Sequence, residues 1–269
     1  MKKIFPFLKS SLKSSLKSSL KSSAPAMAVF AAAGLLSFAL LKPLGLYAAE
    51  DAKAVGIVSD VLAKLSPGQW IARYGFTNYR VDKTQQSYAL EIAARDSKTI
   101  HVSFYDPPRD KGRQILNING EIWSFLPDSR KVVRLADRDS IGNGDFNNAD
   151  VLRLNWLDLY DVKLVKESAT QYVIDMTAKK NSGAAYFLIR LWVLKDGRQP
   201  VQQFFYDNAG HHLKTLKYRD VKVFHEIPRP SLLIMENMVT GQRTVLEVKD
   251  FQKSSGLPES RFKPDNLGK

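Results

Sequence analysis

From Tyr88 onward, apolar residues recur with a period of two, and several of the strands this implies are apolar on both faces. Tyr88, Leu90, Ile92 and Ala94 alternate with Glu91 and Arg95; Ile100, Val102 and Phe104 then alternate with His101 and Ser103. Over 186–194, Phe187, Ile189, Leu191 and Val193 share one face, while Tyr186, Leu188, Trp192 and Leu194 flank Arg190 on the other. Over 121–126, Trp123 and Phe125 oppose Ile122 and Leu126. A sheet that packs one face and wets the other alternates apolar with polar. Strands apolar on both sides need cover on both. A curved sheet wrapped around an inner element, with partial cover outside, meets that demand.

Turn residues divide the chain into many short antiparallel strands. Besides those above, strands are expected over 114–119, 121–126, 131–135, 162–167, 171–178, 186–195, 201–207, 212–224, 232–239 and 243–251. Asn119-Gly120 suits a type I′ hairpin turn; Asp196-Gly197, Asn208-Ala209-Gly210 and Thr240-Gly241 mark others. No βαβ rhythm appears, so a parallel sheet is not indicated. The clearest helix is 51–65, with Val55, Val58, Leu62 and Leu65 at helical spacing and Ser66-Pro67-Gly68 ending it. A shorter helix is expected over 150–159, where Val151, Leu154 and Leu157 share a side. Between strand and helix, 136–149 is a loop rich in Asp, Gly and Asn. Phe262 and Leu267 anchor the tail, 254–269. The expected fold is mainly β with α: one curved antiparallel sheet in a single domain, 50–269, with the helix 51–65 on its concave side.

The N-terminus has a separate character. Four copies of Leu-Lys-Ser-Ser run from Leu8 to Ser23, an apolar run follows from Met27 to Leu41, and Leu46-Tyr47-Ala48-Ala49 precedes the first acid. A basic segment, an apolar segment and small residues describe a secretory signal peptide over 1–49, cleaved after Ala48 or Ala49. The alternative is an uncleaved membrane anchor, although the apolar run falls short of the roughly 20 residues a spanning helix needs. The formal net charge of +13 is inflated by this segment. Without it, 33 basic residues face 27 acidic ones, leaving +6. The absence of cysteine excludes disulfides, thiolate metal sites and a cysteine nucleophile, so stability must come from a core.

No catalytic pattern emerges. Of the four histidines, His211 and His212 are adjacent and point to opposite faces of an extended chain; His101 and His225 stand alone. Asp137-Arg138-Asp139 opens like a calcium loop, but Ile141 and Asn148 stand where that loop needs ligands. Gly142 and Gly144 lack the third glycine and preceding buried strand of a dinucleotide site. The carboxylates form no pair marked for acid–base work. Arg109, Lys111 and Arg113, and Arg130, Lys131 and Arg134, are basic clusters that suit a solvated strand edge or an anionic headgroup better than nucleic acid. The chain is therefore expected to be no enzyme, to need no cofactor or metal and to act as a monomer.

A longer pattern is more specific. The stretch FYDPPRDKGRQILNINGEIWSFLPDSRKVVRLADRDSIGNGDFNNADVLRLNWLDLY (104–160) gives, in order, a proline turn, Lys111-Gly112, the Asn119-Gly120 hairpin, Ile122 to Pro127, a basic strand and Gly144-Asp145-Phe146. A second block adds Gln203 to Asp207, Leu213 to Leu216, Ile227-Pro228 and Thr244. Together these resemble the outer-membrane lipoprotein-sorting family, periplasmic carriers of the LolA/LolB type, over roughly 55–267; the loop 141–151 departs most from the family's usual pattern. The resemblance implies a half-open β-barrel plugged by helices, with a hydrophobic cavity for acyl chains of lipoproteins or phospholipid. Cargo would come from an inner-membrane transporter and pass to an outer-membrane acceptor in the periplasm. The alternative function is a membrane-tethered accessory subunit of a lipid or drug transporter.

On that reading, the cavity residues are Phe104, Phe187, Ile189, Leu191, Val193, Phe204, Tyr206, Leu233 and Met235. Val55, Val58 and Leu62 would serve the lid, with the 150–159 helix assisting. Gly142, Gly144, Phe146 and Asp150 would form its hinge, Phe146 anchoring the loop to the barrel rim and Asp150 capping the helix.

Overall fold

The computed structural model describes residues 44–269, with side chains from Asp51 onward. Of the expected signal peptide, residues 1–43 lie outside the described residues, while its expected cleavage position after Ala48 or Ala49 falls within the first helix. Helix α1 (Leu44–Leu65) leads into thirteen strands: β1 (Trp70–Tyr79), β2 (Gln85–Asp96), β3 (Thr99–Asp106), β4 (Gln114–Ile118), β5 (Glu121–Leu126), β6 (Lys131–Leu135), then β7 (Tyr160–Glu167), β8 (Gln171–Ala178), β9 (Leu188–Leu194), β10 (Pro200–Tyr206), β11 (His212–Phe224), β12 (Ile227–Asn237) and β13 (Arg243–Lys253). Two short helices, α2 (Asn148–Leu152) and α3 (Trp156–Leu159), lie between β6 and β7. All strands form one antiparallel sheet, ordered β6-β5-β4-β3-β2-β1-β13-β12-β11-β10-β9-β8-β7. β6 and β7 remain its two free edges, so the barrel stays open. Among the described residues, no helix is long and apolar enough to cross a membrane.

The main core lies inside the curve. Phe76, Phe104, Ile174, Leu191, Met235 and Phe251, from strands around the whole sheet, join one buried cluster with α1. That helix contributes Ala54, Ile57, Val58, Val61 and Leu65, each worth roughly 2 kcal/mol for the larger side chains. Lys53 to Glu167 (2.6 Å) and Arg198 to Asp60 (3.4 Å) tie its outer side to the sheet. The expected stripe was rotated: Val58 is fully buried and Leu62 partly so, but Val55 is 42% exposed. With apolar residues at 54, 55, 57, 58, 61 and 62, sequence spacing leaves two adjacent faces possible, and packing selects the one centred on Val58.

Strand β1 is an addition to the expected set. Trp70, Ala72, Tyr74, Phe76 and Asn78 are its buried positions, a period-two pattern masked by Ile71 and Gly75 between them. It joins the halves of the sheet, pairing with β2 and β13. β12 begins five residues before the expected 232, through Pro228 and Pro230. Proline cannot donate to a ladder and is confined to edge-like positions. That holds here, since this part of β12 pairs with β11 alone and β13 joins only from Leu232. Asn119 and Gly120 both have positive φ, 53° and 92°, as a type I′ turn requires. The expected 150–159 helix is two pieces, broken at 153–155.

The two-faced strands find their outer cover in the C-terminal tail. Phe262 and Leu267 pack on Ala93 and Leu116, outside the main core, with Trp123 and Phe125 alongside. Arg261 reaches back to donate to Glu91 Oε1 at 2.7 Å and to His101 Nδ1 at 3.2 Å. Burial first, and the Arg261 charge second, push the His101 imidazole down to about 4 from 6.5.

In the unfolded chain this ring takes its proton near its ordinary value; in the fold it resists until much lower pH. Its stability contribution is therefore complete above about pH 6.5 and lost as pH falls toward 4, about 3 kcal/mol in all. Urea denaturation between pH 7 and 4 should show that loss in the wild type and a shallower slope in His101→Gln. Parallel pH profiles would contradict it.

Candidate functional site

The inner face of β9 consists of Ile189, Leu191 and Val193, all buried. Opposite them on β10 stand Phe205, facing Ile189, and Gln203, facing Leu191. Leu216 and Tyr218 on β11, Leu233 and Met235 on β12, and Leu246 on β13 continue this face. Phe104 is buried in the same cluster from the other side, edge-on to Tyr88 at 5.9 Å.

Of the expected cavity residues, Ile189 and Leu233 border the interior cavity, Phe104, Leu191, Val193 and Met235 are buried in the core around it, and three fall elsewhere. Phe187 precedes β9 and is 48% exposed. Phe204 and Tyr206 lie on the outer face, paired with Arg190 and Leu188. Their rings join an outer aromatic row: Trp192 to Phe204 at 4.6 Å, Phe204 to His212 at 4.6 Å and Tyr206 to His212 at 5.2 Å. One residue of register exchanges the faces of a strand. Here an irregularity between Pro200 and Gln202, and a polar Gln203 on the inner face, disguise which face is which.

Between the inner sheet face and the helices lies a cavity of about 90 Å³. Leu65, Trp70, Phe146, Leu154, Tyr186 and Leu246 are among its walls. This is well short of the roughly 300 Å³ at which small-molecule sites begin, so the space is largely filled. What fills it is the segment from 136 to 159. Phe146 is buried against Phe76, ring centroids 5.9 Å apart, and Leu152, Trp156 and Leu159 enter the core.

The loop before α2 is held by side chains from four neighbouring strands. Asn78 on β1 donates to Gly142 O at 2.7 Å. Thr244 on β13 accepts from Asp145 N–H at 2.8 Å, and its hydroxyl lies near both Asn78 Oδ1 and Asp145 Oδ2. Asn237 on β12 donates to Asp145 Oδ1 at 3.1 Å. Lys214 on β11 donates to Asp145 O at 2.6 Å and Asn147 Oδ1 at 2.8 Å, with Asp150 Oδ2 at 3.8 Å. The expected glycine roles separate. Gly142 does use positive φ (59°), whereas Gly144 does not (φ −101°). Gly144 is needed because a Cβ there would overlap Asn78, Thr244 and Phe76.

Asp150 was expected to cap the helix from its N-terminus. Asn147 holds that position, and Asp150, three residues on, accepts from the Asn147 N–H at 2.8 Å, the reciprocal half of a capping box. The same oxygen accepts from the Tyr186 hydroxyl at 3.1 Å. Burial raises the Asp150 carboxyl and lowers the Lys214 ammonium, their mutual attraction opposing both shifts. The nearby Asp137 and Asp139 are occupied within the protein: Asp137 pairs with Arg153, and Asp139 accepts from Ala136 N–H at 2.7 Å. Among the described residues no group of three or more metal-ligating side chains occurs.

The model of a family described as an uncharacterized protein matches residues 95–269. No curated protein matches significantly. Among solved structures, a LolA superfamily protein from Nitrosomonas europaea superposes with a TM-score of 0.72 at 24% identity, covering 80% of this chain and 99% of that one. A domain assigned to outer membrane lipoprotein sorting from Vibrio parahaemolyticus gives 0.70 at 20% identity, with 81% and 100% covered. A DUF1329 family protein from Desulfovibrio piger gives 0.72 at 20% identity, with 82% and 98% covered. At these identities the likeness establishes the shared fold, an open antiparallel barrel.

Proposed function

Since the chain belongs to the family whose model spans residues 95–269 and carries the LolA-type fold, we propose that it is a periplasmic carrier of acyl chains. It takes chains of a lipoprotein or lipid into the barrel interior and helps sort them toward the outer membrane. An inner-membrane transporter supplies the cargo and an outer-membrane acceptor receives it. The observation that carries this reading is the largely filled cavity of about 90 Å³, with an apolar wall and a plug held by side chains. Moving residues 136–159 exposes a greasy interior without disturbing the sheet ladder. Each methylene transferred from water is worth about 0.8 kcal/mol, so a dozen are worth about 10 kcal/mol. That is the driving force available for displacing the plug.

Native mass spectrometry of the gently purified protein, followed by titration of the delipidated chain with an oleoyl ligand, tests it. Stoichiometric acyl adducts, with altered hydrogen exchange over 136–159 on loading, are expected. No adduct in either preparation, with unchanged exchange, overturns the reading.

One observation favours the tethered accessory subunit as a second reading: α1 runs unbroken from Leu44 through Ala48 and Ala49. The intact mass of the native protein decides between them. Loss of the first 48 or 49 residues supports a free carrier, and their retention supports a tether.

A further inference from the structure

Arg229 lies on the inner face of β12, between Pro228 and Pro230, and is 4% exposed. Its Nε and Nη1 are buried and find no acceptor among the described residues. Its guanidinium stacks on the Phe251 ring at 3.6 Å and borders the cavity. The phenols of Tyr74 and Tyr218, both cavity residues, act on its charge, and among the described residues no carboxylate pairs with it. Asp150 also borders the cavity, but it is engaged by Asn147, Tyr186 and Lys214. Two residues along the same face, the Ser231 hydroxyl is likewise buried and unpartnered.

A buried cation without a counter-charge is costly, and a merely filled interior would use Met or Leu at this position. Unmet donors gathered at one place in an apolar chamber are complementary to an incoming anion. Arginine is suited to that task, because its planar fork matches the oxygens of a carboxylate or phosphate.

We propose that Arg229 is an anion-binding site inside the cavity, and that the ligand is an acyl amphiphile whose carboxylate or phosphate head is carried inward against it. Tyr74, Tyr218 and Ser231 supply further hydrogen bonds to that head, while the chain lies along the apolar wall toward Ile189 and Leu216. This inference rests on the carrier reading and narrows its cargo to anionic amphiphiles.

The test uses delipidated protein and three probes with the same chain: oleate, 1-oleoyl-lysophosphatidate and oleyl alcohol, with affinities measured calorimetrically. The wild type should bind at least one anionic probe about ten-fold or more tightly than the alcohol, as charged hydrogen bonds of this kind allow. Whichever anion gains identifies carboxylate or phosphate as the head. Arg229→Met should bind all three alike, with its affinity for the alcohol unchanged, and should unfold at no lower urea concentration than the wild type. Should that variant not fold, Arg229→Lys keeps the charge without the fork, and the preference should shrink.

Equal binding of all three by the wild type overturns the anion site while leaving the carrier reading in place. So does a preference that survives in Arg229→Met, or in Arg229→Lys where that stands in. Failure of every probe to bind overturns both.

Discussion

Leu191→Glu should be the most damaging single change in the barrel, costing more than about 4 kcal/mol or abolishing folding. The side chain is fully buried on the inner face, between Ile174 on β8 and Gln203 on β10. A carboxylate there has no partner and loses its hydration. Leu191→Met, which conserves volume, should cost less than about 1.5 kcal/mol. Phe204→Glu, on the neighbouring strand but the outer face, should cost only about 1–2 kcal/mol, through lost contacts with Trp192 and His212. Equilibrium urea denaturation of the three variants reads the result. Equal penalties for Leu191→Glu and Phe204→Glu would mean that the two faces are misassigned.

Lys214→Met should cost about 3–5 kcal/mol, because it leaves a buried partner charge uncompensated. Three acceptors lose their cation together: the Asp145 carbonyl, the Asn147 side chain and the Asp150 carboxylate. Burial already raises the Asp150 carboxyl, so in the variant it should ionise only at a cost. A raised carboxyl favours the fold below its pKa and loses that advantage as pH rises through it. The deficit should therefore be largest near neutral pH and shrink on acidification. Adding Asp150→Asn should restore much of the loss, since neither buried charge then remains. A double variant no more stable than Lys214→Met would rule out this pair as the fastener of the plug.

The contrast between these residues also explains which parts of the molecule were legible in the sequence. Alternation and turn dipeptides located twelve of the thirteen strands, because tertiary packing agrees with local pattern along them. The two-faced strands demanded outer cover, and the tail supplies it through Phe262 and Leu267. Features that depend on which of two equivalent faces packs were not legible. Val55 and Val58 compete for the inner side of α1, and a single irregularity in β10 turns Phe204 and Tyr206 outward. Gly144 gave no conformational clue, since what it meets is the Asn78 and Thr244 side chains, 66 and 100 positions away in the chain. Arg229 was hidden by the prolines on either side, which demote a strand in any local reading. Its want of a partner is visible only once the sheet is assembled.

As the proposed carrier, the protein would take acyl chains onto the inner face of the barrel behind the segment 136–159. Photolabelling tests this most directly, using an oleoyl ligand with a diazirine near the chain terminus and peptide mapping of the adducts. Labels are expected on Ile189, Leu191, Phe205, Leu216 or Met235, suppressed by excess unlabelled ligand. Labels confined to the outer row of Trp192, Phe204 and Tyr206, with none on the inner residues, would contradict it.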